Sequence, residues 1–241
     1  MRQFTYGSAA FREGLRANAH SAGELELLGS LAGPGMRVLD IGAHSGVSTV
    51  ALAGQVGANG HVYAFEPVPE YYAGLLSNLS HNRVENASAY MLAVTDRRGR
   101  TKFYEHGEGS GITPASDATE ITVETTTVPE FLAEHGVEGI DLISMDCEGS
   151  ELLALRGAEA FLRKQAPRIL CEVHHGYLEQ LGQSAGDVAG FLTDCGYDVR
   201  PVKVEDPQAK PGVGECSHLC AWGERGNRHE ATAGALAGGE Q

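Results

Sequence analysis

The stretch Val38-Leu39-Asp40-Ile41-Gly42-Ala43-His44-Ser45-Gly46 decides how the rest of the chain reads. Met36 to Ile41 is a short aliphatic run suited to a strand buried on both faces, and Ser45 to Ala53 has the texture of the helix that follows. Gly42 allows the tight turn between them, and Gly46 lets the helix begin close to a ligand. The spacing is Gly-x-x-x-Gly, not Gly-x-Gly-x-x-Gly. The missing middle glycine, replaced by Ala43-His44, disfavours the close backbone approach that a pyrophosphate needs.

The next segment outward, His61-Val62-Tyr63-Ala64-Phe65-Glu66-Pro67, reads as a second strand ending on an acid. Glu66 stands about 20 residues beyond Gly46, where a carboxylate can accept hydrogen bonds from both hydroxyls of a ribose and repel a ribose phosphate. Asp40, just before the turn, is placed to hold the ammonium of an amino-acid ligand. The helix N-terminus offers N–H groups to its carboxylate. Asp40, Gly42, Ala43, His44, Gly46 and Glu66 together predict an adenosine-type ligand, with His44 contributing its backbone while its side chain points outward.

Farther out, apolar runs alternate with helix-period segments. Strands are expected at 36–41, 61–66, 87–94, 140–146, 167–173 and 197–202, with a last one at 218–222, antiparallel at an edge or beside a neighbour. Helices are expected at 46–56, 69–81, 128–136, 149–164 and 185–195, after a loosely helical N-terminal segment spanning 1–35. This alternation is an α/β pattern, an open doubly wound sheet with helices on both faces. One domain then spans 36–223. Residues 100–127 form a two-stranded β excursion whose long loop, 106–120, suits substrate contact. The Gly- and Ala-rich tail 224–241 is expected to lack order.

Four segments in order resemble one family. They are Val38–Ala43, Phe65-Glu66-Pro67, Asp141-Leu142-Ile143-Ser144-Met145-Asp146-Cys147-Glu148-Gly149-Ser150-Glu151 and Ile169-Leu170-Cys171-Glu172-Val173-His174. The chain resembles the FkbM family of class I S-adenosylmethionine-dependent methyltransferases over roughly residues 36–200. Ser144 stands where that family commonly has lysine, and Cys147 where it has valine, while Asp146-x-Glu148-Gly149 is kept. The resemblance implies a Rossmann-like fold, S-adenosylmethionine as methyl donor and O-methylation of a sugar, polyketide or other secondary metabolite. It also implies that Asn82 and Ala93 neighbour the adenine.

Open α/β sheets bind ligands at the carboxyl ends of their strands. Two such ends are densely polar here, Asp146-Cys147-Glu148 and Glu172-Val173-His174-His175. Asp146 is expected beside the cofactor. His174 is expected as the general base that takes an acceptor proton, with Glu172 or Asp146 orienting it or the substrate, and His175 as second choice. Glu148 and Glu151 also suit helix N-terminal charges. A metal-assisted variant would gather Asp146, Glu172 and His174 around Mg²⁺. Three other outcomes stay open: N-methylation of an amino sugar, a non-catalytic module that only binds the adenosyl ligand, and an NAD-dependent oxidoreductase.

Composition narrows the partners to a small-molecule acceptor. The 241 residues carry a net charge of −14, which disfavours a nucleic-acid backbone. No run approaches the ~20 apolar residues of a membrane span. Five scattered cysteines argue against a disulfide scaffold and for a cytoplasmic setting. Cys216, His218 and Cys220 lack the second close pair that a zinc site would want. The oligomeric state is left open, a homodimer being compatible.

Overall fold

The structure is a computed structural model and describes residues 3–206 and 208–223; the tail 224–241 lies outside the described residues. The chain opens with α1 (Ala9–Ala17) and α2 (Ala19–Leu31). One helical pattern becomes two helices because Asn18 adopts an extended conformation and its side chain accepts a hydrogen bond from Ser21 N, a cap worth about 1 kcal/mol.

The main sheet uses β1 (Arg37–Ile41), β2 (His61–Phe65), β3 (Ala87–Tyr90), β7 (Leu142–Met145), β8 (Arg168–Glu172), β9 (Tyr197–Val202) and β10 (His218–Gly223). Their order is β3-β2-β1-β7-β8-β10-β9, and β10 runs antiparallel to both neighbours. The last strand is therefore inserted between β8 and β9 and is no edge. Its register sets His218 directly beside Glu172.

Both faces of the sheet are covered, which explains its unbroken apolar runs. Val38, Val62, Leu142 and Leu170 pack with α2 and with α3 (Val47–Val56). Leu39, Ile41, Ile143 and Ile169 pack on the opposite side with α5 (Val128–Glu134), α6 (Glu151–Gly157), α7 (Glu159–Gln165) and α9 (Ala185–Asp194). Between β2 and β3 runs α4 (Pro69–His81), and α8 (His175–Gln180), a short helix that periodicity does not announce, follows β8. The expected helix 149–164 breaks at buried Ala158, which ends α6 and begins α7.

The expected strand 87–94 also divides. β3 stays in the main sheet, whereas β4 (Ala93–Val94) leaves it to pair with the excursion. That excursion is a hairpin of β5 (Gly99–Glu105) and β6 (Thr119–Thr126), making a three-stranded sheet ordered β4-β6-β5. Phe103 and Val123 pack on Val68, Tyr71 and Ala93. The second sheet is thus fastened beside the carboxyl end of β2, next to the paired strands β1 and β7, whose following helices α3 and α6 pack on opposite faces.

Candidate active site

One cleft of about 440 Å³ opens at those strand ends. Its first wall is the glycine loop. Gly42 has φ +87°, and a Cβ there would sit 1.7 Å from the carbonyl oxygen of Asp146, so only glycine lets the two loops meet. Gly46 has φ +86° and faces Leu75 Cδ1 of α4, so it docks the helix and does not line the cleft. Ala43 and His44 do line it. His44 is left-handed at φ +46°, with its ring 4.3 Å from that of Tyr71. The ring therefore packs on the cleft wall, where the sequence suggests an outward side chain.

Glu66 lies behind this loop, 4% exposed. Its Oε2 accepts from His44 N at 2.9 Å and its Oε1 from Val68 N at 2.8 Å. Burial pushes its carboxyl up to about 7, against the pull of those two N–H groups. Ala93 lines the cleft beside Leu92, Val94 and Phe103, which gives this end an apolar floor.

Two expected cofactor residues stand elsewhere. Asp40 is buried outside the cleft lining, and its Oδ2 accepts from Ser48 Oγ at 2.9 Å and Thr49 Oγ1 at 2.5 Å. It ties β1 to the first turn of α3. Asn82 lies at the end of α4, where its amide bonds Phe4 O, Tyr6 N and Asn78 O. It pins the N-terminal segment and is absent from the cleft lining.

The second wall gathers acids and imidazoles. Asp146, Glu148, Glu172 and His174 all line it. His174 Nδ1 lies 3.0 Å from Glu151 Oε1, and Glu151 is fully buried. The same oxygen accepts from Gly149 N, so Glu151 fixes the imidazole and the turn together. The sequence expects Glu172 or Asp146 to orient His174, and the structure gives that bond to Glu151. His174 Nε2 then faces Asp146 Oδ1 at 3.5 Å, Glu148 Oε2 at 3.3 Å and Glu172 Oε1 at 3.9 Å. Burial opposes the imidazolium, but the Glu151 bond and the fields of Asp146 and Glu148 outweigh it and hold His174 at about 10. It is a cation at neutral pH. Asp146 is raised well above the usual carboxylate range by burial and by Glu172, and its Oδ1 makes no hydrogen bond.

Two further groups complete this wall, His20 and Glu24, which descend from α2, and His218 of β10 stands buried behind Glu172. Burial and Glu172 push Glu24 up to about 7. Glu24 had a legible sign: it occupies the stripe of Leu27, Leu28 and Leu31, an acid on an apolar face. His175 points away from this chemistry, its Nε2 2.8 Å from Cys216 O. Metal-competent atoms gather as Asp146–Glu148–His174 and as His20–Glu172–His218, where the sequence suggests Asp146, Glu172 and His174. The five cysteines are free thiols.

The cleft therefore has a glycine-loop wall and an acid- and imidazole-rich wall facing one space. Residues 40–199 match the Methyltransferase FkbM domain family. The chain is 29% identical over 174 residues to the 2-O-methyltransferase NoeI of Sinorhizobium fredii, covering 64% of this chain and 70% of that protein. It is 27% identical over 208 residues to the 31-O-demethyl-FK506 methyltransferase FkbM of Streptomyces tacrolimicus, covering 72% and 76%. Among solved structures, an FkbM methyltransferase from Methylobacillus flagellatus superposes with a TM-score of 0.51 at 18% identity. That match covers 85% of this chain and 52% of the other, so the likeness concerns the fold.

Proposed function

This chain belongs to the FkbM methyltransferase family and is an S-adenosylmethionine-dependent methyltransferase, and from that premise we propose that it methylates a hydroxyl oxygen of a small-molecule acceptor. The observation that carries the reading is that one cleft is lined both by Gly42, Ala43, His44 and Glu66 and by Asp146, Glu172 and His174. The named activities of NoeI and FkbM, both O-methyltransferases, point to the same acceptor atom.

The residues fit the donor: a turn that only glycine can make, a buried acid for two ribose hydroxyls and an apolar floor for adenine. S-Adenosylmethionine, when bound, supplies a sulfonium methyl that passes to the acceptor oxygen while the S–C electron pair stays on sulfur, leaving adenosylhomocysteine. Glu66 accepts the ribose hydroxyls. Glu24 takes the ammonium, since Asp40 is occupied by Ser48 and Thr49. The Asp146 carboxylate receives the acceptor's hydroxyl proton at Oδ2, its open oxygen, because Oδ1 is buried against His174 Nε2. His174, held by Glu151, stands 3.5 Å away as the positive partner of that carboxylate. The products are a methyl ether, adenosylhomocysteine and one proton on the Asp146–His174 pair.

The acid-rich wall also suits an ammonium-bearing acceptor, which would turn the reaction to nitrogen. The deciding experiment incubates the chain with methyl-labelled donor and a panel of sugar and polyketide alcohols beside matched amino sugars. Label on oxygen, located by product fragmentation, supports the proposal. Label on nitrogen alone, or none with any alcohol, contradicts it.

A further inference from the structure

We propose that His20, Glu172 and His218 form a binding site for one divalent first-row transition-metal ion at the acceptor side of the cleft. Their ligand-capable atoms lie within 4.8 Å of one another. They come from three parts of the chain, the start of α2, the end of β8 and the start of β10. The β8–β10 register puts His218 beside Glu172, and α2 lays His20 across them, with the two imidazole rings 5.5 Å apart.

The protonation pattern is that of a ligand set. Ser217 Oγ lies 3.3 Å from Val202 O, accepts from Val204 N at 3.0 Å and stands 3.1 Å from His218 Nδ1, so with its hydroxyl proton turned to Val202 O it accepts from an Nδ1–H. In that tautomer the proton of His218 is on Nδ1 and Nε2 presents a lone pair. That nitrogen has no hydrogen-bond partner although the side chain is 1% exposed, and it points at Glu172 Oε2 from 3.9 Å. In that tautomer two acceptors face each other in a buried place, an arrangement that a positive centre between them would satisfy. A proton spans such a gap poorly, whereas a metal ion with ligand distances near 2.1 Å bridges it.

His20 is held differently, by a carboxylate on each nitrogen. Its Nδ1 is 2.6 Å from Glu205 Oε1 and its Nε2 is 2.9 Å from Glu172 Oε1. A carboxylate on the outer nitrogen of an imidazole fixes the inner one toward a metal. The ion would take the place of the proton that His20 shares with Glu172. Two imidazoles and one carboxylate favour a zinc-, manganese- or iron-class ion over magnesium, and three protein ligands leave positions open to the cleft. An acceptor hydroxyl bound there would ionise more readily. That role rests on the proposed O-methylation; ion binding itself does not.

The test uses Co²⁺ as a visible probe on the full chain, stripped of metal by a chelator. About one equivalent should bind and give d–d absorption, with His20→Gln and His218→Gln each weakening binding at least about tenfold. His174→Gln should leave it nearly unchanged. Adenosylhomocysteine binding, retained by each variant, shows that the fold survives. Should a variant unfold, paramagnetic shifts in the unaltered chain decide: His20 and His218 ring resonances should move first. No stoichiometric Co²⁺ binding overturns the site. Loss in His174→Gln with retention in His218→Gln, or shifts confined to other histidines, would do so too. A bound ion with no alcohol methylated would sustain the site while refuting the proposed function.

Discussion

The two walls of the cleft are made in opposite ways. The wall proposed for the donor is local: Gly42, Ala43 and His44 are consecutive, and Glu66 arrives with the next strand and accepts a hydrogen bond from His44 N. The wall proposed for the acceptor is assembled from distant parts, Asp146 after β7 and Glu172 and His174 at the end of β8, with the wholly buried Glu151 of α6 behind it. A local wall is stiff and shaped by backbone, so its chemistry is recognition. A wall collected by tertiary packing holds several charges in one field, so its chemistry is proton placement. Substitutions should therefore separate into those that weaken donor binding and those that slow the transfer.

The largest effect should come from the junction of the walls. Gly42→Ala places a methyl against the Asp146 carbonyl and demands a left-handed alanine. Calorimetry should find adenosylhomocysteine binding lost by more than about a hundredfold, because the turn must open. On the acceptor wall, Asp146→Asn should lower turnover about 10²- to 10³-fold, the range of a lost proton acceptor. Donor affinity, measured on the same sample, should stay within a few-fold. Equal losses in both quantities would erase the distinction between the walls.

Glu66→Gln makes the converse test. Hydrogen bonds to a charged acceptor contribute about 1.5–3 kcal/mol, so adenosylhomocysteine Kd should rise roughly 10- to 100-fold. Turnover at saturating donor should barely change.

The fold and the first wall are legible in sequence for the same reason. Strand runs such as Val38–Ile41 and Leu142–Met145 carry their burial in their composition, and the glycine loop carries its shape in adjacent residues. Asp40 and Asn82 mislead because position along a motif says nothing about direction. Each side chain turned to nearer partners, the hydroxyls of α3 and the backbone of Phe4 and Tyr6. Glu151 looked like a helix-terminal charge, yet it is wholly buried, and only the fold shows that it grips His174. His20 had no sequence sign and His218 stood out only beside Cys216 and Cys220, because β10 meets Glu172 only once it is inserted between β8 and β9.

The smallest effect is on stability without ligand. Burial raises Glu24 and Glu66 to about 7, above their ordinary value of 4.5. In that window the folded chain holds more protons than the unfolded one, so stability falls as pH rises. Differential scanning fluorimetry from pH 5 to 7.5 should show the melting temperature dropping by roughly a few degrees. Glu66→Gln should flatten the slope, and a rising curve would contradict the assignment.

The two-wall account is tested most directly by a crystal structure with adenosylhomocysteine. The ribose hydroxyls should bond Glu66 Oε1 and Oε2, and the sulfur should face Asp146 and His174 across the open cleft. A ligand whose ribose avoids Glu66, or whose sulfur turns toward Tyr71 and Phe103, would contradict it.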